Sequence, residues 1–403
     1  MLNLGETIHS MTPQFLSRRQ FLGKASAAAI LTKQLSLSKL TGESNAGENG
    51  DSKGTDEKLI EEKSIWGHGD FKYRAVKDWG KLDPKETPVM NCHEMVIDSK
   101  GRILMLTDDV HNNIIVYSKD GTLLETWGSR WPGGHGLSLS KEGDEEFLFI
   151  VDCGWYFGKD GKEVWNRQSG TVTKTTLDGE VVFTIGHPQT IGIYDEGQTF
   201  MPTEVAVAPN GDFYVADGYG SDFVLQYDRR GRYIRKFGGH DNSDKKHNLH
   251  NAHGIATDLR DPENPVLICT SRNENCFKRF TMDGRYLDTI PLPGAYPCRP
   301  VIAGENLYAA ISWSNEEGVG PRLDDSGFVV VLDKENRVVS APGGIEPVYE
   351  NDELKPLYQD GDLFRHCHDV CVDDDENLYV CQWNSGKTYP IKLERIKPKV
   401  EES

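Results

Sequence analysis

An all-β fold, a six-bladed β-propeller, is what the sequence predicts, and three observations carry it. A unit of four short strands recurs along the chain. The recurrences number six, beginning near residues 91, 133, 201, 251, 297 and 366. The 41 glycines fall often in turn dipeptides such as Asp120-Gly121 and Asn210-Gly211, between runs too short for helices. A four-stranded unit alone leaves both sheet faces in water, so the copies must pack radially on one another.

The first copy shows the pattern in full: strands over 94–98, 102–106, 113–117 and 122–128, with turns at Lys100-Gly101 and Asp120-Gly121. The third repeats it over 204–208, 212–217, 223–227 and 231–238, and the fourth from His253. Copies two, five and six are degenerate, and 153–170 and 313–326 read as loop insertions. The last copy supplies three strands, over 368–373, 378–382 and 389–396, while 72–80 resembles a fourth strand. That segment is expected to complete the last blade, closing the ring with no open edge.

Composition narrows function. Lys+Arg number 45 and Asp+Glu 63, a net charge of −18, which repels nucleic acid and anionic membranes. A hydrophobic content of 37% suffices for a core, and no run of 18 apolar residues suggests a spanning helix. Near the start, Arg18-Arg19-Gln20-Phe21-Leu22 precedes a mild apolar run over 25–31, the pattern of a twin-arginine export signal. The expected layout is a signal over 1–46, a Gly/Ser/Asp/Glu-rich linker over 47–64, the propeller over 65–398 and a tail over 399–403. The partners then include the twin-arginine export machinery, and the destination is periplasmic or extracellular. Eight cysteines without a CxxC pair allow at most one or two disulfides in that compartment.

In a propeller the first strand of each blade lines the central channel. His135, His253 and His368 open that strand in copies two, four and six. Their steps, 253 − 135 = 118 and 368 − 253 = 115, are each two blades. Three imidazoles on alternate blades converge on the axis, where their nitrogens suit Zn²⁺ or another divalent transition ion. His93 opens the first copy but is offset by one residue, which predicts a rim or polar channel role. His366, two residues before a proposed ligand, is a candidate substrate contact.

On these residues the chain resembles a known family. The repeats look like NHL repeats, and residues 90–396 are similar to the peptidyl-α-hydroxyglycine α-amidating lyases. The matching segments are Met201-Pro202-Thr203-Glu204, Asp217-Gly218-Tyr219, Ala252-His253-Gly254, Ser271-Arg272-Asn273 and His366-Cys367-His368-Asp369. The resemblance implies Zn²⁺ on His135, His253 and His368, a catalytic Tyr219, and Arg272 beside the metal. It also implies a structural Ca²⁺ on Asp369 with the carbonyls of Leu137 and Met95. The reaction implied is C–N cleavage of an α-hydroxylated amide with release of glyoxylate, on a small or peptide-like substrate in the channel. The chain departs from the family in three places: Thr107-Asp108-Asp109 where the family has an arginine, Gly220 for a cysteine, and His366 for a methionine.

Two other readings use different residues. A non-catalytic binding propeller would present loop aromatics such as Trp131, Trp155, Tyr156, Trp165, Trp313 and Trp383. A propeller lactonase would hold Ca²⁺ with Glu, Asn and Asp at the ring that histidines occupy here. The turn over 158–162 lacks phosphate-loop spacing, and 373–376 reads as a solvated acidic turn rather than a calcium run.

Overall fold

A computed structural model describes residues 65–397 apart from 77, 158–162, 165–167 and 319; for 157, 163 and 164 it describes only the backbone. The expected export signal, linker, 158–162 turn, Trp165 and C-terminal tail lie outside the described residues.

Six antiparallel sheets follow one another along the chain. Their first strands are Cys92–Ile97, Gly134–Glu142, Glu204–Val207, Ile255–Asp258, Ala295–Ala303 and Cys367–Val372. Each touches the first strands of the two flanking sheets, so the six inner strands form a closed ring. The starts agree with the six repeat positions.

Closure follows the expected route. Phe71–Val76 pairs with Ile391–Ile396, in a register running from Lys72 opposite Ile396 to Val76 opposite Lys392. One strand more than expected is present: Ile65–His68 pairs with Phe71–Val76 and gives the last blade a fifth, outermost strand.

Period-2 alternation sends successive side chains of each strand into opposite neighbours. Along Ile103–Thr107, Ile103 and Met105 pack towards the last blade, while Leu104 and Leu106 pack towards the second. One apolar cluster fills each of the six blade interfaces. Each large side chain buried this way stabilises the ring by about 1.5–3 kcal/mol. The Asp120-Gly121 turn is tight against its neighbour: a Cβ on Gly121, at φ +90, would stand 2.7 Å from the Gly80 backbone nitrogen.

All eight cysteines are buried and unpaired, so no disulfide braces the ring. Among the described residues no helix is long and apolar enough to cross a membrane.

Tyr73 is fully buried in the cluster between blades five and six, and it belongs to the closing strand. Tyr73→Ala is expected to lower unfolding free energy by about 3–5 kcal/mol in urea titration. An unchanged midpoint would show that the ring does not depend on this closure.

Candidate functional site

The channel end of each first strand is shaped by a local irregularity. Cys92 pairs with Thr107 and Glu94 with Leu106, so His93 bulges out of the ladder. The same bulge lifts His135 between Gly134 and Gly136, and His368 between Cys367 and Asp369. A bulge leaves one residue unpaired and re-aims its side chain. His93 is therefore in the same phase as His135 and His368, and the expected one-residue offset does not exist. His253 arrives by another device: Asn251, at φ +61, makes a turn in which the His253 amide donates to the Asn251 carbonyl at 2.7 Å.

The rings of His135, His253 and His368 form a near-equilateral triangle, with centroids 4.7, 4.9 and 4.7 Å apart. All three are buried. By nitrogen spacing the tightest group is different: ring nitrogens of His93, His135 and His368 lie within 4.8 Å of one another. The two descriptions differ over His253, whose Nε2 faces the Tyr219 hydroxyl at 3.1 Å while its Nδ1 is buried without a partner. Four imidazoles make one cluster, of which the sequence predicted three.

Hydrogen bonds fix two of the tautomers. His135 Nδ1 meets the Thr203 carbonyl at 2.9 Å and His368 Nδ1 the His93 carbonyl at 3.0 Å. A carbonyl only accepts, so each Nδ1 carries the proton and each Nε2 a lone pair. Those two Nε2 atoms face each other at 3.2 Å. Two lone pairs at this distance repel unless a cation stands between them, so the donor set fits a transition ion. Burial holds the His135, His253 and His368 imidazoles well below the ordinary histidine pKa, and the neutral ring is the ligand form.

Tyr219 and Arg272 join the cluster. The Asp217-Gly218-Tyr219 turn is pinned by the Asp217 carboxylate, which accepts from the Met201 and Ser221 amides and the Tyr194 hydroxyl at 2.7, 2.8 and 2.7 Å. Gly218 allows the turn to lie on the next blade, since a Cβ there would stand 2.1 Å from the Ala252 carbonyl. The Tyr219 hydroxyl thereby reaches His135 Nε2 at 3.0 Å as well as His253. Arg272 is buried, donates to the Pro297 carbonyl and the Cys298 thiol at 3.2 Å each, and hydrogen bonds Tyr219. Burial raises the Tyr219 pKa, and the Arg272 charge opposes that rise.

The expected calcium site needs a correction. The Asp369 carboxylate and the Met95 and Leu137 carbonyls do converge, but on the guanidinium of Arg299. Its Nε and Nη2 grip Asp369 bidentately at 3.1 and 2.8 Å, Nη1 donates to Leu137 O at 2.9 Å, and Nη2 donates to Met95 O at 3.1 Å. Glu94 and Glu204 flank it at 3.5 and 3.8 Å. A planar five-donor cation suits this fork, and it brings one positive charge where a calcium ion would bring two. Three carboxyls against one guanidinium leave an excess of negative charge. Burial pushes Glu94 and Glu204 above the ordinary range against the pull of Arg299, and Glu94 Oε1 and Glu204 Oε2 are each buried without a donor. A proton shared by that pair is the consistent state.

Other expected residues stand apart. His366, at φ +50, turns one ring nitrogen to the Trp383 carbonyl at 3.1 Å and the other to the Asp324 carbonyl. Its ring packs on Trp313 and Trp383 rather than on the histidine cluster. Asp108 is not a bare charge facing the channel: it accepts from the Asn91 amide and side chain at 2.8 and 2.7 Å and meets His93 at 3.3 Å. Trp131 and Trp155 are buried, Tyr156, Trp313 and Trp383 are half-buried, and Trp155 packs with Cys153, Met201, Tyr219 and Trp383 beside the cluster.

No family model matches the chain. A probable peptidyl-alpha-hydroxyglycine alpha-amidating lyase of Caenorhabditis elegans is 25% identical over 192 residues, 46% of this chain and 49% of that protein. Peptidyl-alpha-hydroxyglycine alpha-amidating lyase 1 of Drosophila melanogaster is 26% identical over 226 residues, 51% of this chain and 37% of that one. The chain thus spans half or less of the length of these relatives. Among solved structures, virginiamycin B lyase of Staphylococcus aureus superposes with a TM-score of 0.47 at 14% identity, over 81% of this chain and 100% of that one. A gluconolactonase of Xanthomonas campestris gives 0.48 at 13%, over 83% and 91%.

Two stability measurements follow. A calcium chelator should leave the melting temperature unchanged, and Arg299→Ala should cost about 3–5 kcal/mol by uncovering buried carboxylates; a chelator-induced drop would restore calcium to the hub. Glu94 binds a proton in the folded chain that it releases when unfolded above the ordinary glutamate range. Stability therefore falls as pH rises from about 4.5 towards the raised folded pKa, by up to about 1.4 kcal/mol per pH unit. The groups facing it are Arg299, Glu204 and Asp369. Glu94→Gln should flatten that slope in pH-dependent denaturation, and an unaltered slope would place the proton elsewhere.

Proposed function

We propose that the chain is an exported, metal-dependent lyase that cleaves the C–N bond of an α-hydroxylated amide, as the names of its relatives suggest. The observation that supports this most is the Tyr219 hydroxyl between His135 Nε2 and His253 Nε2, at 3.0 and 3.1 Å, with Arg272 bonded to the same tyrosine. A base, a cation and an imidazole cluster meet at one point of the channel.

His135, His253 and His368 would hold the ion, with zinc the first candidate for neutral imidazoles. Bound there, such an ion supplies Lewis acidity to a substrate oxygen. Tyr219 takes the hydroxyl proton as the oxygen becomes a carbonyl; the C–N bond breaks and the nitrogen, reprotonated, leaves as an amide beside glyoxylate. Burial of the phenol works against its ionisation, and Arg272 works for it. The Arg272 guanidinium also suits the carboxylate that a hydroxyglycine compound carries. Cys153, Trp155 and Met201, with Tyr219 and Trp383 against them, form an apolar wall that keeps water from the reacting atoms. Residues 1–46 would direct the folded protein through the twin-arginine route.

Purified protein should carry about one transition ion per chain and release glyoxylate from an α-hydroxyglycine compound. Tyr219→Phe should lower turnover by about 10²–10⁴-fold with metal content unchanged. Metal-loaded protein inert towards such compounds would refute the substrate assignment, and full turnover in the phenylalanine variant would refute the base.

A further inference from the structure

The fourth imidazole has no place in the three-histidine scheme, yet its backbone setting matches that of His135 and His368. His93 sits on the same bulge as His135 and His368. The residue two places after it takes the same post as the residue two places after His135. Met95 and Leu137 each offer their carbonyl to Arg299, and each amide donates to a channel carboxylate, Asp369 and Glu94 respectively. The His93 ring lies 4.8 Å from that of His368 and 5.3 Å from that of His135.

Its two nitrogens have opposite fates. One meets Asp108 at 3.3 Å, and Asp108 is itself held by two bonds from Asn91. The other nitrogen is buried and has no partner, in a residue that is 1% exposed. A buried polar atom left unpaired calls for an explanation. A carboxylate behind one nitrogen and an open lone pair on the other is the arrangement by which proteins orient an imidazole towards a metal.

We infer that His93 is a fourth ligand, giving its unpartnered nitrogen to the same ion as His135, His253 and His368, with Asp108 as the positioning residue behind it. This rests on the metal reading given above and extends it. Four protein nitrogens close a tetrahedral ion, so a substrate oxygen enters only when the ion takes five or six ligands. Turnover then requires an ion whose shell can expand beyond four ligands, as those of zinc, cobalt(II) and iron(II) do.

Cobalt(II) alone is the probe, titrated into the metal-free full chain and read by X-ray absorption and visible spectroscopy. The wild type is expected to show four imidazole nitrogens. His93→Gln should show three and bind cobalt about 10–100-fold more weakly, and Asp108→Asn should weaken binding with all four nitrogens retained. Circular dichroism checks that each variant folds. Three imidazoles in the wild type, or equal affinity in the His93 variant, would overturn the inference while leaving a three-histidine metal site standing. A folded wild type that binds no cobalt would overturn the metal reading and this inference together.

Discussion

Where six wedges meet, six strand ends bring their polar groups to one axis, and each must find a partner there. The channel answers in two layers. One layer carries His93, His135, Thr203, His253, Cys298 and His368; the next residue on each strand supplies Glu94, Gly136, Glu204, Gly254, Arg299 and Asp369. The second layer is stitched head to tail. Asp369 of the last blade accepts from Met95 of the first, Glu94 of the first accepts from Leu137 of the second, and Arg299 bridges across the axis to all three. Removing the guanidinium would leave a knot of carboxylates with no counter-charge, so this one cation underlies both ring closure and the placing of the histidines one residue away.

The ring itself was legible because strand alternation and turn glycines repeat, and because both faces of every blade had to be covered. The histidine triangle was legible because equal steps in sequence become equal angles about an axis. The fifth strand of the last blade was not, since Ile65–His68 lies where the linker composition ends and has no counterpart in other copies. His93 was misplaced because a bulge shifts register without leaving a mark in the residue pattern. The resemblance to a calcium-bearing family hid Arg299, although a signal existed: it stands at the position that Glu94, Glu204 and Asp369 occupy on their own strands.

Function is set by how loops reach into the histidine layer. Tyr219 arrives from the third blade on a turn that only glycine permits, and Arg272 from the fourth at the start of a short helical turn. His366 points away, to Asp324 and Trp383, so its place is among the aromatic side chains of the loops. Asp108, in the stretch where the resembling family has an arginine, is tied to Asn91 and His93 and is part of the support of the cluster.

Anomalous diffraction at a transition-metal edge, from crystals of the full chain grown with that metal, tests the central claim most directly. The account predicts one peak, within bonding distance of the His135, His253 and His368 nitrogens, and ordinary guanidinium density with no peak at Arg299. A peak among Glu94, Glu204 and Asp369 with the histidines vacant, or imidazoles too far apart to share an ion, would contradict it.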